Sequence, residues 1–301
     1  MSLDNPTFGE RLVWRLETFG YDAISALLRL LPVDAASAFG GFITSTFGPL
    51  TPADKVIRRN LELAFPEKSL EERERIRKQA WEEFGRFAAE FTMLDRLTAT
   101  SGRIEIVGGE RLKAMHDAGQ PALMISGHFS NFEMMAAAIV ATGGPVQISY
   151  RPANNPYFDT RVVQGRARYG VQSLAPKGSG GAREIIRALA KGESVAMLID
   201  QKFNSGVASP LFGHMAHTSP GPVRLGRRFG GKVIPMGIER QKGARFKVTF
   251  YEPIQLPQTD DIEADTDIGV RQLNAFLEER IRARPHEWFW AHRRWPKSMY
   301  A

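Results

Sequence analysis

The stretch "ALMISGHFSNFEMMAAAIVATGG" (residues 122–144) decides the fold. Its first six residues form a short apolar run of the kind found in a buried strand. Residues 132–144 have a helical composition and end in two glycines, which commonly terminate helices. The stretch therefore predicts a strand followed at once by a helix, with His128 at the junction between them.

The same alternation continues along the chain. Short apolar runs predict further strands at residues 146–150, 194–200, 233–238 and 246–251. Helical patterns lie between or after them, at residues 155–170, 181–193, 221–231 and about 266–284. Strands that alternate with helices indicate an α/β fold with right-handed crossovers. We therefore expect a mixed, mostly parallel sheet flanked by helices.

The N-terminal third is helical in its pattern. Residues 54–95 predict helices with a break at Pro66 and a capping box formed by Ser69 and Glu72. An earlier predicted helix either packs on the domain or lies in a membrane interface. Its apolar residues follow one another at gaps of three and four: Leu12, Leu16, Phe19, Ala23, Leu27 and Leu30. We predict an N-terminal amphipathic and helical region (residues 1–100) and an α/β domain (residues 101–301) that form one compact unit.

Composition limits the possible functions. The 301 residues include no cysteine, which excludes disulfides, thiolate metal sites and cysteine nucleophiles. The formal net charge is +7, so the protein is attracted to anionic surfaces such as acidic lipid, nucleic acid or an acidic protein. We expect neither a secretory signal nor a membrane-spanning helix, because the longest uncharged stretch (residues 35–53) is interrupted by glycine and proline.

His128 and Glu133 form a candidate catalytic pair. Five positions on one helix would separate the two side chains by about 140°, so they can meet only if His128 precedes the helix. Ser130 or Asn131 is a suitable N-cap, which places Glu133 in the first helical turn. The carboxyl edge of a strand is where open α/β sheets bind ligands. In this arrangement His128 removes a proton from a substrate hydroxyl, while Glu133 accepts a hydrogen bond from the other ring nitrogen.

A purely structural interpretation also fits these residues. Ser130 and Glu133 have the spacing of a capping box, which needs no chemistry. Other chemistries have less support, because the sequence lacks His-Glu-x-x-His, Gly-x-Ser-x-Gly and a P-loop. His214 and His217 are interpreted as loop histidines, and we expect no metal and no nucleotide cofactor. The alanine- and methionine-rich helix at 134–141 either lines an acyl groove or, as we favour, belongs to the core.

An ordered series of motifs resembles a known family, the lipid A biosynthesis (lauroyl/myristoyl) acyltransferases. "GHFSNFE" (127–133) is similar to the His-x4-Asp/Glu block of glycerolipid acyltransferases. The other matching motifs cover roughly residues 55–296: "NLELAFPEKS" (60–69), "YRPANNPYFD" (150–159), "GRARYG" (165–170), "LIDQ" (198–201), "PLFGHMAHTSPGPVRLGRR" (210–228) and "WFWAHRRWP" (288–296).

The resemblance implies a glycerol-3-phosphate acyltransferase-like fold and an O-acyltransferase. Its donor would be acyl carrier protein (or acyl-CoA), and its acceptor a hydroxyl of a phosphorylated lipid A precursor. It implies catalytic roles for His128 and Glu133, and substrate-binding roles for Arg151, Arg166 and Asp200. The role it implies for Asp200 is to orient Arg166 or the acceptor. Each of the three also has a structural alternative: a surface helix residue for Arg166, an ion pair for Arg151 and a loop cap for Asp200.

Some expectations about partners stay open. The acceptor is alternatively a lysophospholipid or another membrane lipid. Three arginines, Arg224, Arg227 and Arg228, form either a solvated face or a contact with anionic partners, and the tryptophans of residues 288–295 lie either at a membrane interface or in a packed segment. No nucleic-acid module is recognised, so we expect no nucleic acid partner. The resemblance implies the cytoplasmic face of the cell inner membrane, and the charged first helix favours peripheral or monotopic attachment.

Overall fold

The computed structural model describes residues 6–171, 173–176 and 179–300. The helices are α1 (Phe8–Leu28), α2 (Val33–Phe47), α3 (Ala53–Ala64), α4 (Leu70–Phe91), α5 (Gly109–Asp117), α6 (Glu133–Ala141), α7 (Pro156–Arg168), α8 (Ser179–Ala190), α9 (Gly221–Phe229) and α10 (Ile262–Ala283). The strands are β1 (Ile104–Val107), β2 (Ala122–Ser126), β3 (Val146–Tyr150), β4 (Leu174–Pro176), β5 (Ser194–Leu198), β6 (Val207–Leu211), β7 (His214–Thr218), β8 (Lys232–Arg240) and β9 (Phe246–Phe250).

A mixed, mostly parallel sheet forms the centre of the molecule. Its strand order in the described residues is β1-β9-β8-β2-β5-β3-β4, and only the pairing of β8 with β9 is antiparallel. Strand β2 lies between β8 and β5, and each of its residues is buried. Strands β6 and β7 form a separate antiparallel hairpin. The predicted α/β class is therefore confirmed, as are the five predicted strands, with small differences in their ends.

Several local predictions are confirmed and others are wrong. Ser69 and Glu72 form the predicted capping box. Ser130 and Glu133 do not form one, because α6 begins at Glu133 and Ser130 has a left-handed backbone (φ 42°) instead of an N-cap conformation. His214 and His217 lie on β7 and not in a loop. Strands β1 and β4 and the β6–β7 hairpin are not predicted from the sequence.

The apolar stripe of the first helix does not pack on the domain. Leu12, Leu16, Phe19, Leu27 and Leu30 are all exposed. The opposite side of α1 packs inward through Trp14, Thr18 and Leu28, while the Asn155 amide donates to the Trp14 carbonyl (2.9 Å). Within the described residues, no helix is both long enough and apolar enough to cross a membrane. The predicted division at residue 100, and the expectation of one compact unit, remain predictions.

Helices α2 and α4 cross at unusually close range. A Cβ atom on Gly85 would lie 1.9 Å from Thr44 Oγ1 and 2.1 Å from the Gly40 carbonyl oxygen. Real Cβ atoms do not approach other atoms so closely, so glycine is required at this crossing. The Thr44 hydroxyl in turn donates to the Trp81 carbonyl (2.5 Å), which ties the two helices together.

We expect Gly85→Ala to lower the free energy of unfolding by about 1–3 kcal/mol, because the added methyl forces the helices apart. Gly20→Ala is the matched control, since Gly20 is also helical and has no atom within 4 Å of an added Cβ. That change should raise the free energy of unfolding by about 0.5–1 kcal/mol, through the higher helix propensity of alanine. Urea denaturation of both variants measures the difference. Equal stability of the two variants would contradict the close crossing.

Candidate active site

His128 lies two residues beyond the end of β2, where the chain leaves the sheet. Gly127 permits this exit, because a Cβ there would lie 3.2 Å from the side chain of Asp200 and 2.8 Å from the ring of Phe129. The C-terminal segment fixes the backbone on both sides of the turn. The Phe289 amide donates to the His128 carbonyl (3.0 Å), and the Ser130 amide donates to the Glu287 carbonyl (2.6 Å).

The partner of His128 is Asp200, which follows the neighbouring strand β5. Ser126 of β2 is in register with Leu198 of β5, so the residues two positions further along each strand meet at the same edge. The distance between His128 Nδ1 and Asp200 Oδ1 is 2.7 Å. The His128 backbone amide donates to Asp200 Oδ2 (2.8 Å). These contacts fix the orientation of the imidazole ring.

Asp200 is fully buried and richly hydrogen-bonded. The Trp288 indole donates to its Oδ2 atom (2.8 Å), in addition to the two contacts from His128. Burial alone would raise the pKa of Asp200, but the attraction and hydrogen bonding of His128 outweigh it and hold the pKa well below its ordinary value. Asp200 is therefore a carboxylate at neutral pH. Because a carboxylate only accepts hydrogen bonds, Nδ1 of His128 carries the proton in this contact, and in the neutral form of the ring the lone pair is then on Nε2.

Glu133 does not contact His128 as the sequence predicts. It pairs instead with Arg166 of α7 in a bidentate contact, Nε to Oε2 (3.0 Å) and Nη2 to Oε1 (2.7 Å). The Tyr169 hydroxyl donates to the same carboxylate (2.5 Å). The prediction that Glu133 orients His128 is thus wrong. Of the two roles expected of Asp200, to orient Arg166 or to orient the acceptor, the first is wrong and the second stays a prediction. Asp200 orients the histidine and Glu133 orients the arginine.

The pair of Glu133 and Arg166 is buried, and its electrostatics are strong. Burial lowers the pKa of Arg166, but the negative charge of Glu133 raises it by more than burial lowers it. The net shift of the pKa is therefore upward, and the guanidinium stays charged. Burial raises the pKa of Tyr169 well above its usual value, and Glu133 adds to that rise. Nη1 of Arg166 is buried and has no hydrogen-bond partner among the described residues. Arg166 therefore keeps one donor without a partner in the part of the chain that the structure describes, and its side chain lines the cavity described below.

Breaking this pair should destabilise the protein. We expect Glu133→Gln to lower the free energy of unfolding by about 3 kcal/mol, because it leaves the buried guanidinium of Arg166 without its counter-charge. Denaturation in urea measures the loss. Glu110→Gln is the control, since Glu110 pairs with Arg111 at the surface and its side chain is exposed; no measurable change is expected there. A Glu133→Gln protein as stable as the wild type would show that the pair is not held as described.

A large apolar cavity of about 680 Å³ joins these residues. His128, Glu133 and Arg166 line it, together with Arg151 at its exposed rim, and Asp200 lies behind His128. The other walls come mainly from α1, α2, α4 and α7, and their large apolar residues at the cavity are Ile24, Leu28, Phe39, Ile43, Phe84, Phe87, Phe91, Phe158 and Val162. Phe132, which directly precedes α6, completes the wall beside His128. Phe132 also contacts the His128 ring edge to face, with 5.0 Å between centroids. A cavity of this kind fits a hydrocarbon chain beside a polar reacting group.

Helix α6 belongs mainly to the core, as the sequence favours. Met134, Met135, Ala137, Ala138 and Ile139 are buried. A small cavity of about 60 Å³ nevertheless lies beside Met135, Ala136 and Ile139. It shares Glu133 and Arg166 with the large cavity, so the part of α6 that follows Glu133 lines a side pocket of the site.

The other residues that the sequence singles out lie outside the cavity. Trp288, Trp290 and Trp295 are buried, so the packed alternative for the C-terminal segment is correct. Arg227 forms an ion pair with Asp265, whereas Arg224 and Arg228 are exposed. In the described part of the chain, no group of three or more His, Cys, Asp or Glu side chains is placed to hold a metal ion.

The sequence predictions did not include two parts of the site. The sequence does not predict the contact of Tyr169 with Glu133 or that of Trp288 with Asp200, although both residues lie in motifs that carry the family resemblance. The sequence also does not predict the cavity walls that α2 and α4 form.

Comparisons with known proteins agree on one family. The family model described as "Bacterial lipid A biosynthesis acyltransferase" matches residues 12–297. The lipid A biosynthesis lauroyltransferase of Escherichia coli (strain K12) is 30% identical over 249 residues, which is 80% of this chain and 78% of that protein. The palmitoleoyltransferase of the same strain is 26% identical with the same coverage. Its myristoyltransferase is 24% identical over 238 residues, 77% of this chain and 71% of that protein.

Proposed function

Because the chain belongs to the bacterial lipid A biosynthesis acyltransferases, we propose that it acts as an O-acyltransferase with His128 as its general base. The acyl donor is acyl carrier protein or coenzyme A in thioester linkage, and the acceptor is a hydroxyl of a phosphorylated lipid A precursor. The observation that carries this proposal is the pair of His128 and Asp200, which faces a large apolar cavity.

The proposed reaction begins with proton transfer. Nε2 of His128 takes the proton of the acceptor hydroxyl, while Nδ1–H remains hydrogen-bonded to Asp200. The resulting alkoxide attacks the thioester carbonyl carbon and forms a tetrahedral intermediate. The intermediate collapses, the carbon–sulfur bond breaks, and the leaving thiolate takes the proton back from His128. The products are an ester and a free thiol, with no covalent enzyme intermediate.

Arg166 is proposed to stabilise the negative charge that develops during transfer. Its Nη1 group has no hydrogen-bond partner in the described residues, and the side chain lines the same cavity as His128. A donor held in place before the reaction stabilises an oxyanion most effectively. Glu133 then acts as a positioning residue, since it contacts Arg166 and not the reacting atoms. This role replaces the sequence-based expectation of a direct catalytic role for Glu133.

Arg151 is proposed to bind a substrate phosphate. It follows β3 directly, is exposed and lines the rim of the cavity. A guanidinium at this position can bind phosphate in a bidentate manner while the acyl chains occupy the apolar interior. We also propose that the protein works at the cytoplasmic face of the inner membrane, attached peripherally or monotopically, where the net charge of +7 favours an anionic lipid surface.

An acyl-transfer assay tests the proposed function. Purified protein is given acyl-acyl carrier protein or acyl-CoA, and a panel of detergent-dispersed acceptors: a lipid A precursor, a lysophospholipid and a mixture of membrane lipids. We expect transfer to the lipid A precursor, with the new ester identified by mass spectrometry. Transfer only to a lysophospholipid would favour the alternative acceptor. A lack of transfer to any hydroxyl, with a folded protein, would contradict the proposal.

Arg151→Ala should raise the KM for a phosphorylated acceptor by about tenfold and leave kcat nearly unchanged, because a surface contact that binds substrate and transition state equally affects KM alone. Steady-state kinetics with a phosphorylated acceptor and its dephosphorylated counterpart measure this effect. Arg228→Ala is the control, since Arg228 is also exposed but does not line the cavity. An equal KM change for both acceptors would contradict phosphate binding by Arg151.

A further inference from the structure

The first two helices expose an extended apolar surface. Thirteen of the twenty-one large hydrophobic side chains that are exposed in the described residues lie between residues 8 and 50. We call this surface the α1–α2 apolar face, and it consists of Phe8, Leu12, Val13, Leu16, Phe19, Ile24, Leu27, Leu30, Leu31, Phe39, Phe42, Phe47 and Leu50. So many large exposed hydrophobic side chains within one short part of the chain are unusual for a soluble monomer and indicate an interaction surface.

The α1–α2 apolar face carries little net charge, so electrostatic attraction is not the main force that would hold a partner on it. Residues 6–52 contain three arginines and four acidic residues, with no lysine, and residues 35–53 contain no charge. The positive excess of the protein therefore lies elsewhere in the chain. The partner of the α1–α2 apolar face must be apolar and extended, and it need not be anionic.

The cavity of the candidate active site opens on this face. Ile24 of α1 and Phe39 of α2 both line the cavity, yet they are 57% and 51% exposed. The two residues therefore mark an opening between the helices, and we call it the α1–α2 portal. The apolar cavity wall is continuous with the exposed apolar surface at this point. A protein partner seated here would close the portal, whereas a lipid layer would connect the cavity to a supply of acyl chains.

We propose that the α1–α2 apolar face inserts into the hydrocarbon layer of a lipid bilayer, and that lipid chains move between the bilayer and His128 sideways through the α1–α2 portal. The helices lie in the plane of the interface and do not cross it, as expected for amphipathic helices with this charge pattern. Insertion stands on the exposed apolar residues alone. The passage of substrate through the portal rests on the proposed acyltransferase function.

The absence of cysteine from the sequence permits a direct test of insertion. Leu27→Cys, Phe42→Cys and Ile24→Cys each provide a single thiol for a polarity-sensitive fluorophore. Leu70→Cys is the matched control, because Leu70 on α4 is 67% exposed and Leu27 is 66% exposed. The probe is a vesicle of zwitterionic phosphatidylcholine. We expect labels at positions 24, 27 and 42 to shift to the blue and to be quenched by lipids spin-labelled on the acyl chain, with no change at position 70.

Varying the salt concentration and the lipid charge shows whether apolar insertion or electrostatic attraction holds the protein on the vesicle. Insertion predicts that the signal persists on neutral vesicles at about 1 M salt, where the Debye length is only about 3 Å. Labels that remain in water, or a signal that needs anionic vesicles and disappears in salt, would overturn the proposal. Self-association could also bury the labels, and light scattering without vesicles detects it. A dimer or larger assembly with blue-shifted labels in the absence of lipid would show that a second copy of this chain occupies the α1–α2 apolar face, which would overturn the proposal.

A double variant separates insertion from catalysis. Leu27→Glu with Phe42→Glu should weaken vesicle binding at least about tenfold, since two charges then enter the apolar layer, and neither residue lines the cavity. Acyl transfer with detergent-dispersed substrates should be unchanged, and Leu70→Glu should bind vesicles normally. Failure of wild-type protein to transfer acyl groups would contradict the proposed function and leave the insertion result intact. Normal vesicle binding by the double variant would overturn insertion.

Discussion

His128→Ala should lower kcat/KM for acyl transfer by about 10⁴-fold, at the upper end of what a general base contributes. The reason is that the described residues around the cavity offer no second imidazole to take the hydroxyl proton: His292, also near Asp200, contacts the Phe289 and Asp200 carbonyls and does not line the cavity. Initial rates of transfer to a detergent-dispersed acceptor measure the loss, with circular dichroism to confirm folding.

The control for this prediction is His214→Ala, since His214 lies on β7 and does not line the cavity. It should retain wild-type activity. A His128→Ala protein that keeps more than about a tenth of the wild-type rate would exclude a general-base role of the size expected.

Asp200→Asn should lower kcat by about 10³-fold, because an amide can donate to Nδ1 and so favour the tautomer that blocks Nε2. The KM should change little, since Asp200 is buried behind His128 and does not line the cavity. Steady-state kinetics separate the two parameters.

Asp265→Asn is the matched control for Asp200→Asn. Asp265 is another buried aspartate, but it pairs with Arg227 far along the chain from the site and does not line the cavity. Its activity per folded molecule should be unchanged, whatever the effect on stability. If Asp200→Asn raised KM and left kcat intact, the aspartate would act on substrate binding and not on the histidine.

Much of the fold could be predicted because buried parallel strands have a simple pattern. Strands β2, β5 and β8 are short apolar runs, and they were predicted from their composition. Strand β1 was missed because it has only four residues and includes the exposed Glu105, and β4 because it has only three residues. Such short segments carry too little periodicity to be distinguished from loops.

The sequence names residues that the structure brings close together, but it does not predict which of them pair with each other. His128, Glu133, Arg166 and Arg151 all line one cavity. The partner of His128 is 72 residues away in the sequence and becomes a neighbour only because β2 and β5 are adjacent. Strand order is set by long-range packing, which the local sequence does not contain. Glu133 was assigned to His128 because it is close in the chain, whereas its actual partner comes from α7.

The first helix illustrates a different limit of sequence-based prediction. An apolar stripe at helical spacing is equally suitable for a protein core and for a lipid layer, because both exclude water. Only the structure shows that Leu12, Leu16 and Phe19 are exposed while Trp14 packs inward.

The central claim is that Asp200, and not Glu133, fixes the protonation of His128. Nitrogen-15 NMR of the histidine rings measures this directly, with the His128 signals identified by their loss in His128→Gln. We predict a proton on Nδ1 and a bare Nε2 at neutral imidazole in the wild type, unchanged in Glu133→Gln and altered in Asp200→Asn. A wild-type ring protonated on Nε2, or a tautomer that changes with Glu133 and not with Asp200, would contradict the account.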